Sequence, residues 1–184
     1  MSGGSGSFQK GSTAVNLGVG LIHFGSYSGL LFSGTGYSRT PLINLSVERG
    51  IIDNVGPGVI AIGGIVGYRR ASFDYSNSLY NYGYKWSSSD LFIGVRGVYH
   101  YAFSSNPKVD TYGGLTVGVR LSSYGYKYDD SYPDNLRSSA STTYTNAFSG
   151  LFVGARYNFS DNLGVFGEFG YDIALLKVGL SATF

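Results

Sequence analysis

The side chains able to do acid–base or nucleophilic chemistry are few. The 184 residues hold two histidines, 13 Lys and Arg, 11 Asp and Glu, and no cysteine. A hydrolytic or acyl-transfer site needs a histidine within reach of a serine, with a carboxylate to orient it. His23 ends an alternating segment that carries no carboxylate, so it reads as a rim aromatic. His100 falls on the polar parity near the opposite end of its own segment. Asp53, Asp74, Asp129, Asp130 and Asp134 lack calcium-loop spacing. The glycines of "GTG" lack the strand–loop–helix setting of a phosphate cradle. No catalytic residue, metal or cofactor is assigned, and the chain reads as non-enzymatic.

A second set of residues is more informative. Glu48, Arg96, Arg120, Arg156, Glu168, Asp172 and Lys177 share the parity occupied by Gly, Asn and Ser, opposite an apolar parity. Charges enclosed on one face must pair, because an unpaired buried charge costs several kcal/mol. The spacing predicts Asp172 opposite Lys177 across a hairpin at Ile173–Leu175, and Arg156 diagonal to Glu168 across "SDN". Charged residues make up only 13% of the chain and net +2, too few and too balanced for a nucleic-acid surface.

Strands must hold such a face. Eight alternating stretches are present: Thr13–Phe24, Leu42–Gly50, Val59–Arg70, Asp90–Phe103, Thr111–Ser122, Phe148–Phe159, Leu163–Asp172 and Leu176–Phe184. Most are near the roughly 9–11 residues that a tilted strand needs to cross a bilayer. Simple turns ("GIIDNVGPG", "SSNPKVD", "SDN") alternate with long polar loops at Gly25–Thr40, Ala71–Ser89 and Ser123–Ala147. That alternation predicts an eight-stranded antiparallel up-and-down transmembrane β-barrel over 13–184, with both termini at the short-turn end. A soluble barrel of the lipocalin or streptavidin kind is the rival, but it needs an apolar interior and a polar exterior. Residues 1–12, opening "MSGGSGS", read as a disordered leader or linker standing where a signal peptide has been removed.

The segments "PLINLSVERGIIDNVGPGVIAIGGIVGYRR", "LFIGVRGVYHYAF", "KVDTYGGLTVGVRL" and "FVGARYNFSDNLGVFGEFGYDIALLKVGLSATF" resemble the small outer-membrane β-barrel family of Bacteroidota, often labelled "porin family". They are more distantly similar to OmpA and OmpX barrels. The resemblance implies an outer-membrane location with periplasmic termini and extracellular long loops. It also implies contact with the barrel-insertion machinery, for which Leu180, Ala182 and Phe184 resemble the C-terminal recognition signal. It implies little chemistry. Some barrels of this size modify lipid A, which keeps a lipid-modifying enzyme as a third reading behind a minor channel or transport accessory.

The favoured role rests on the loops. Ala71–Ser89 and Ser123–Ala147 carry Tyr75, Tyr80, Tyr82, Tyr84, Trp86, Tyr124, Tyr126, Tyr128 and Tyr132. Tyr with Ser, Asn and Gly is the composition of adaptable binding surfaces. Period-two spacing equally predicts strands extended as ribbons, with rings paired across strands or set at headgroup level. A surface-exposed interaction or structural protein, meeting a protein, glycan or lipopolysaccharide, is the function expected.

Overall fold

The computed structural model describes residues 8–22, 37–77, 82–101, 106–128 and 139–184. His23, Phe24, Tyr80 and Tyr132 lie outside that set. The strands are β1 (Thr13–Ile22), β2 (Tyr37–Arg39), β3 (Leu42–Val55), β4 (Gly58–Asn77), β5 (Tyr82–Tyr101), β6 (Val109–Tyr128), β7 (Ala140–Asn158), β8 (Leu163–Gly170) and β9 (Leu176–Thr183). Eight of them close a ring in the order β1-β3-β4-β5-β6-β7-β8-β9, returning to β1, and β2 adds three residues beside β4. Every ladder is antiparallel, and β1 meets β9 with Leu17 opposite Leu180. The fold is an all-β, eight-stranded antiparallel barrel.

Its distribution of side chains is inverted relative to a soluble protein. Strand β3 alternates buried and exposed from Leu42 to Gly50, with Asn44, Ser46 and Glu48 inside and Ile43, Leu45 and Val47 outside. Leu17, Ile62, Ile93, Leu115, Leu151, Val165 and Leu180 continue this apolar exterior around the ring. On β7 it runs from Leu151 to the end at Tyr157, followed by Phe159. Nine residues at about 3.3 Å each, tilted about 40°, span roughly 23 Å, the height of a membrane-facing apolar band.

Several boundaries differ from the sequence reading. Strands β4 to β7 reach 20, 20, 20 and 19 residues, so most of the expected Ala71–Ser89 loop is a hairpin ribbon. Tyr75 lies opposite Tyr84, and Ser123 opposite Thr143. Polar Ser, Thr and Tyr obscure this, because backbone ladders carry the ribbon without an apolar face. Likewise β3 continues through "IIDNV" to a turn at Gly56–Pro57, where Gly56 takes a left-handed φ of 60°. Strand β8 ends at Gly170, which leaves Asp172 in the connection to β9.

The described part of the expected free leader, residues 8–12, is packed instead. Gly11 donates to the Gly50 carbonyl at 2.9 Å, and the Gly50 amide donates to Ser12 at 3.0 Å. A side chain at position 50 would collide with the Gln9 carbonyl, so only glycine permits the approach. Phe8 is 4% exposed and joins Ala14, Ala61, Val98, Tyr112 and Phe152 in an apolar cluster. That buried ring, which the polar composition around it hides, seals the short-turn end of the lumen.

Candidate functional site

The lumen holds three stacked charge clusters and then opens onto an aromatic face. At the short-turn end, Arg156 bridges Glu48 at 2.6 Å and Asp110 at 2.8 Å. The Nδ1 of His100 lies 3.0 Å from Asp110, and its Nε2 faces Glu48 at 3.8 Å. Phe8 stacks on the His100 ring with centroids 3.8 Å apart. Both imidazole nitrogens therefore face carboxylates.

In the middle, Glu168 accepts from Arg96 at 2.8 Å and from Lys177 at 2.8 Å. Lys177 also reaches Asp172 at 2.6 Å. Arg96 lies over the Phe152 ring at 3.9 Å, and Tyr112 donates to Glu168 at 3.2 Å. Inward glycines make room for these rings: a Cβ at Gly154 would stand 2.7 Å from Tyr112. The expected Asp172–Lys177 pair and the diagonal placement of Arg156 and Glu168 are both present, with two refinements. Lys177 stands in ladder register with Glu168, and Asp172 reaches it from the β8–β9 connection. Arg156 is diagonal to Glu168, yet each is engaged by other partners across the lumen.

Toward the long-strand end, Asp90 is the hub. It accepts from Arg69 Nε at 2.7 Å, Arg120 Nε at 2.9 Å, Arg120 Nη2 at 3.0 Å and the Ser122 hydroxyl at 2.6 Å. Arg69 and Arg120 also lie over the Phe92 ring at 5.5 and 5.6 Å. A cavity of about 250 Å³ opens here, lined by Arg69, Phe92, Arg120, Phe148, Asp172 and Ile173 among others.

Asp90, Asp110, Arg69 and His100 were not among the predicted network residues. Asp90 and Asp110 had sat at expected loop borders, Ser89 and "SSNPKVD". The signal that finds them is parity: Asp90 shares the phase of Arg96, and Asp110 that of Arg120.

The aromatic residues continue the inner parity beyond the barrel. Trp86 and Tyr84 share the phase of Asp90 on β5, Tyr124 and Tyr126 that of Arg120 on β6, and Tyr144 that of Arg156 on β7. Phe73 and Tyr75 share the phase of Arg69 on β4. Their rings pair laterally: Tyr75 with Tyr84 at 5.4 Å, Trp86 with Tyr124 at 6.4 Å, and Tyr124 with Tyr144 at 6.1 Å. Tyr82 and Tyr128 belong to the same strands. The expected headgroup-level placement of these rings would need the outer face, and the register puts them on the inner one. On the opposite wall β8 and β9 have only eight residues each. The aromatic face is consequently unroofed by strands on that side among the described residues. At the C-terminus, Leu180 and Phe184 point outward at 61% and 70% exposure, Ala182 is half-buried, and Lys177 is enclosed.

The class defined by these features is an antiparallel barrel with a charged lumen, an apolar exterior and a protruding aromatic sheet. No family model matches the chain, and no curated protein does. Among solved structures, Ail, the attachment invasion locus protein of Yersinia pestis, in complex with the heparin analogue sucrose octasulfate, is similar at 14% identity and a TM-score of 0.45, covering 96% of this chain and 100% of Ail. The N-terminal β-barrel domain of Pseudomonas aeruginosa OprF is similar at 13% identity and a TM-score of 0.43, covering 95% and 98% of the two chains.

Proposed function

We propose that the protein is a non-enzymatic outer-membrane barrel whose protruding sheet recognises a partner at the cell surface. The termini and short turns lie in the periplasm, and the ribbons of β4 to β7 lie outside. Support for the membrane setting comes from the apolar exterior around a charged lumen, since soluble monomers rarely expose apolar surface so continuously. Crossing ion pairs and Phe8 fill the lumen, which disfavours a channel.

The observation that carries the recognition reading is the aromatic face, which no strand roofs among the described residues. Tyr84, Trp86, Tyr124 and Tyr144 offer rigid, amphipathic contact area on a sheet braced by full ladders. The open side of β7 adds an uncharged, proline-free edge, "ASTTYTNA", exposed from Ala140 to Ala147. A surface protein, glycan or lipopolysaccharide fits such a face, and the family resemblance of the strands agrees with the location.

The test uses native protein purified from outer membranes, with co-purifying partners identified by mass spectrometry. A variant carrying Tyr84→Ser, Tyr124→Ser and Tyr144→Ser should insert normally but lose the partner. Undiminished partner recovery would refute the reading.

A further inference from the structure

At the foot of the aromatic face, the cavity of about 250 Å³ combines three properties that together define a ligand. The first is unbalanced charge. Arg69 and Arg120 share a single carboxylate, Asp90, whose two oxygens already accept four hydrogen bonds. Among the described residues, two cations against one anion leave a net charge of +1. Among the described residues Arg69 is engaged there through Nε alone, which leaves its Nη donors to the cavity. Arg120, with 35% of its side chain exposed, faces the solvent side.

The second property is an orphan acceptor. Asp172 lines the same cavity with its side chain fully enclosed. Its Oδ2 takes Lys177 at 2.6 Å and Thr116 at 3.4 Å, while Oδ1 is buried with no partner among the described residues. Lys177 already balances the Asp172 charge, so Oδ1 calls for a neutral donor such as a hydroxyl, not for a second cation. The third property is an apolar wall. Phe92 and Phe148 pack edge to face at 5.7 Å, with Ile173 beside them.

We infer that this vestibule binds one acidic sugar residue. Its carboxylate or phosphate is held by Arg69 and Arg120, the C–H face of the ring lies on Phe148, and a hydroxyl donates to Asp172 Oδ1 once that enclosed side chain turns toward the ligand. The volume is below the roughly 300–1,000 Å³ of sites for drug-sized molecules, which suits a single unit. The remainder of a longer saccharide would run up the face of Tyr84, Trp86, Tyr124 and Tyr144. The inference thus deepens the recognition reading by naming the chemistry of the partner.

Calorimetric titration of the detergent-folded barrel with glucuronate and with glucose 6-phosphate tests it, with glucose and inorganic phosphate as controls. Both acidic sugars should saturate one site, glucose should not bind, and inorganic phosphate should bind more weakly. Arg120→Gln should weaken binding at least about tenfold, the scale of a lost charge-assisted hydrogen bond. Phe148→Trp, which fills the cavity and touches no ion pair, should abolish binding even if Arg120→Gln fails to fold. Absence of saturation in the millimolar range, equal binding of glucose, or unchanged binding by folded Phe148→Trp would each overturn the inference. So would phosphate binding as tightly as glucose 6-phosphate. A partner lost on removing the tyrosines, with no acidic sugar bound, would sink the inference and leave the recognition reading standing. The reverse pattern would sink that reading alone.

Discussion

Lys177 is the residue whose removal the structure predicts most sharply. Its ammonium is fully enclosed and held by Glu168 at 2.8 Å and Asp172 at 2.6 Å. Glu168 has a second cation, Arg96, whereas among the described residues Asp172 has only Thr116 at 3.4 Å besides Lys177. Lys177→Met therefore strands Asp172 as a buried anion, and breaking a buried pair in this way costs about 3–5 kcal/mol. Asp172→Asn leaves Lys177 with Glu168 and loses one charge-assisted bond, about 1.5–3 kcal/mol. Combining the two removes the stranded charge, so the double variant should be more stable than Lys177→Met alone, a coupling of at least about 1 kcal/mol. Urea titration of the barrel in lipid vesicles measures the free energies, and the shift of the folded band on unboiled gels gives the rank order. Strictly additive losses, or Asp172→Asn as damaging as Lys177→Met, would refute the account of how this cluster is compensated.

Three further outcomes follow from the same architecture. Phe8→Ala should speed amide exchange at Gly11 and Gly50 by at least about tenfold while leaving the folded gel band in place, because the closed ring of ladders does not depend on Phe8; unchanged exchange would show that Phe8 does not hold the segment. Protease added to intact cells should cut within Ala71–Ser89 or Ser123–Ala147 and spare the Asn106–Lys108 turn, and cleavage at that turn would invert the topology. Single purified barrels in planar bilayers should show no porin-sized open state, and steady large conductance would mean that the lumen is not filled as described.

The sequence carried the barrel because closing strands must alternate, and a polar lumen makes both parities readable. Glu48, Arg96, Arg156 and Lys177 were legible for that reason. Who pairs with whom was not legible. Contacts such as Arg156 with Glu48 and Arg96 with Glu168 cross the lumen, and their geometry depends on barrel closure and stagger, not on neighbouring strands. The tyrosine ribbons were legible as period-two segments, but their face was fixed only by an unbroken register from Arg120 through Ser122 to Tyr124. One bulge would have reversed it. Phe8 lay beyond sequence reasoning altogether, since its site is assembled from five distant strands.

That last point bears on the order in which the molecule assembles. Most ladders join strands adjacent in the chain and can form as hairpins, but β1 and β9 bring together opposite ends of the polypeptide, with Ala14 beside Thr183. Closing so long a loop is entropically the slowest step to be rewarded. The seat for Phe8 takes in Ala14 of β1 along with residues of β4, β5, β6 and β7, so it exists only once the sheet has curled far enough to face these strands across the lumen. Docking of Phe8 then follows curling of the sheet and holds the curled form from inside, while the β1–β9 ladder itself holds the seam. If that docking follows the transition state, a barrel lacking it folds at the same rate and unfolds faster.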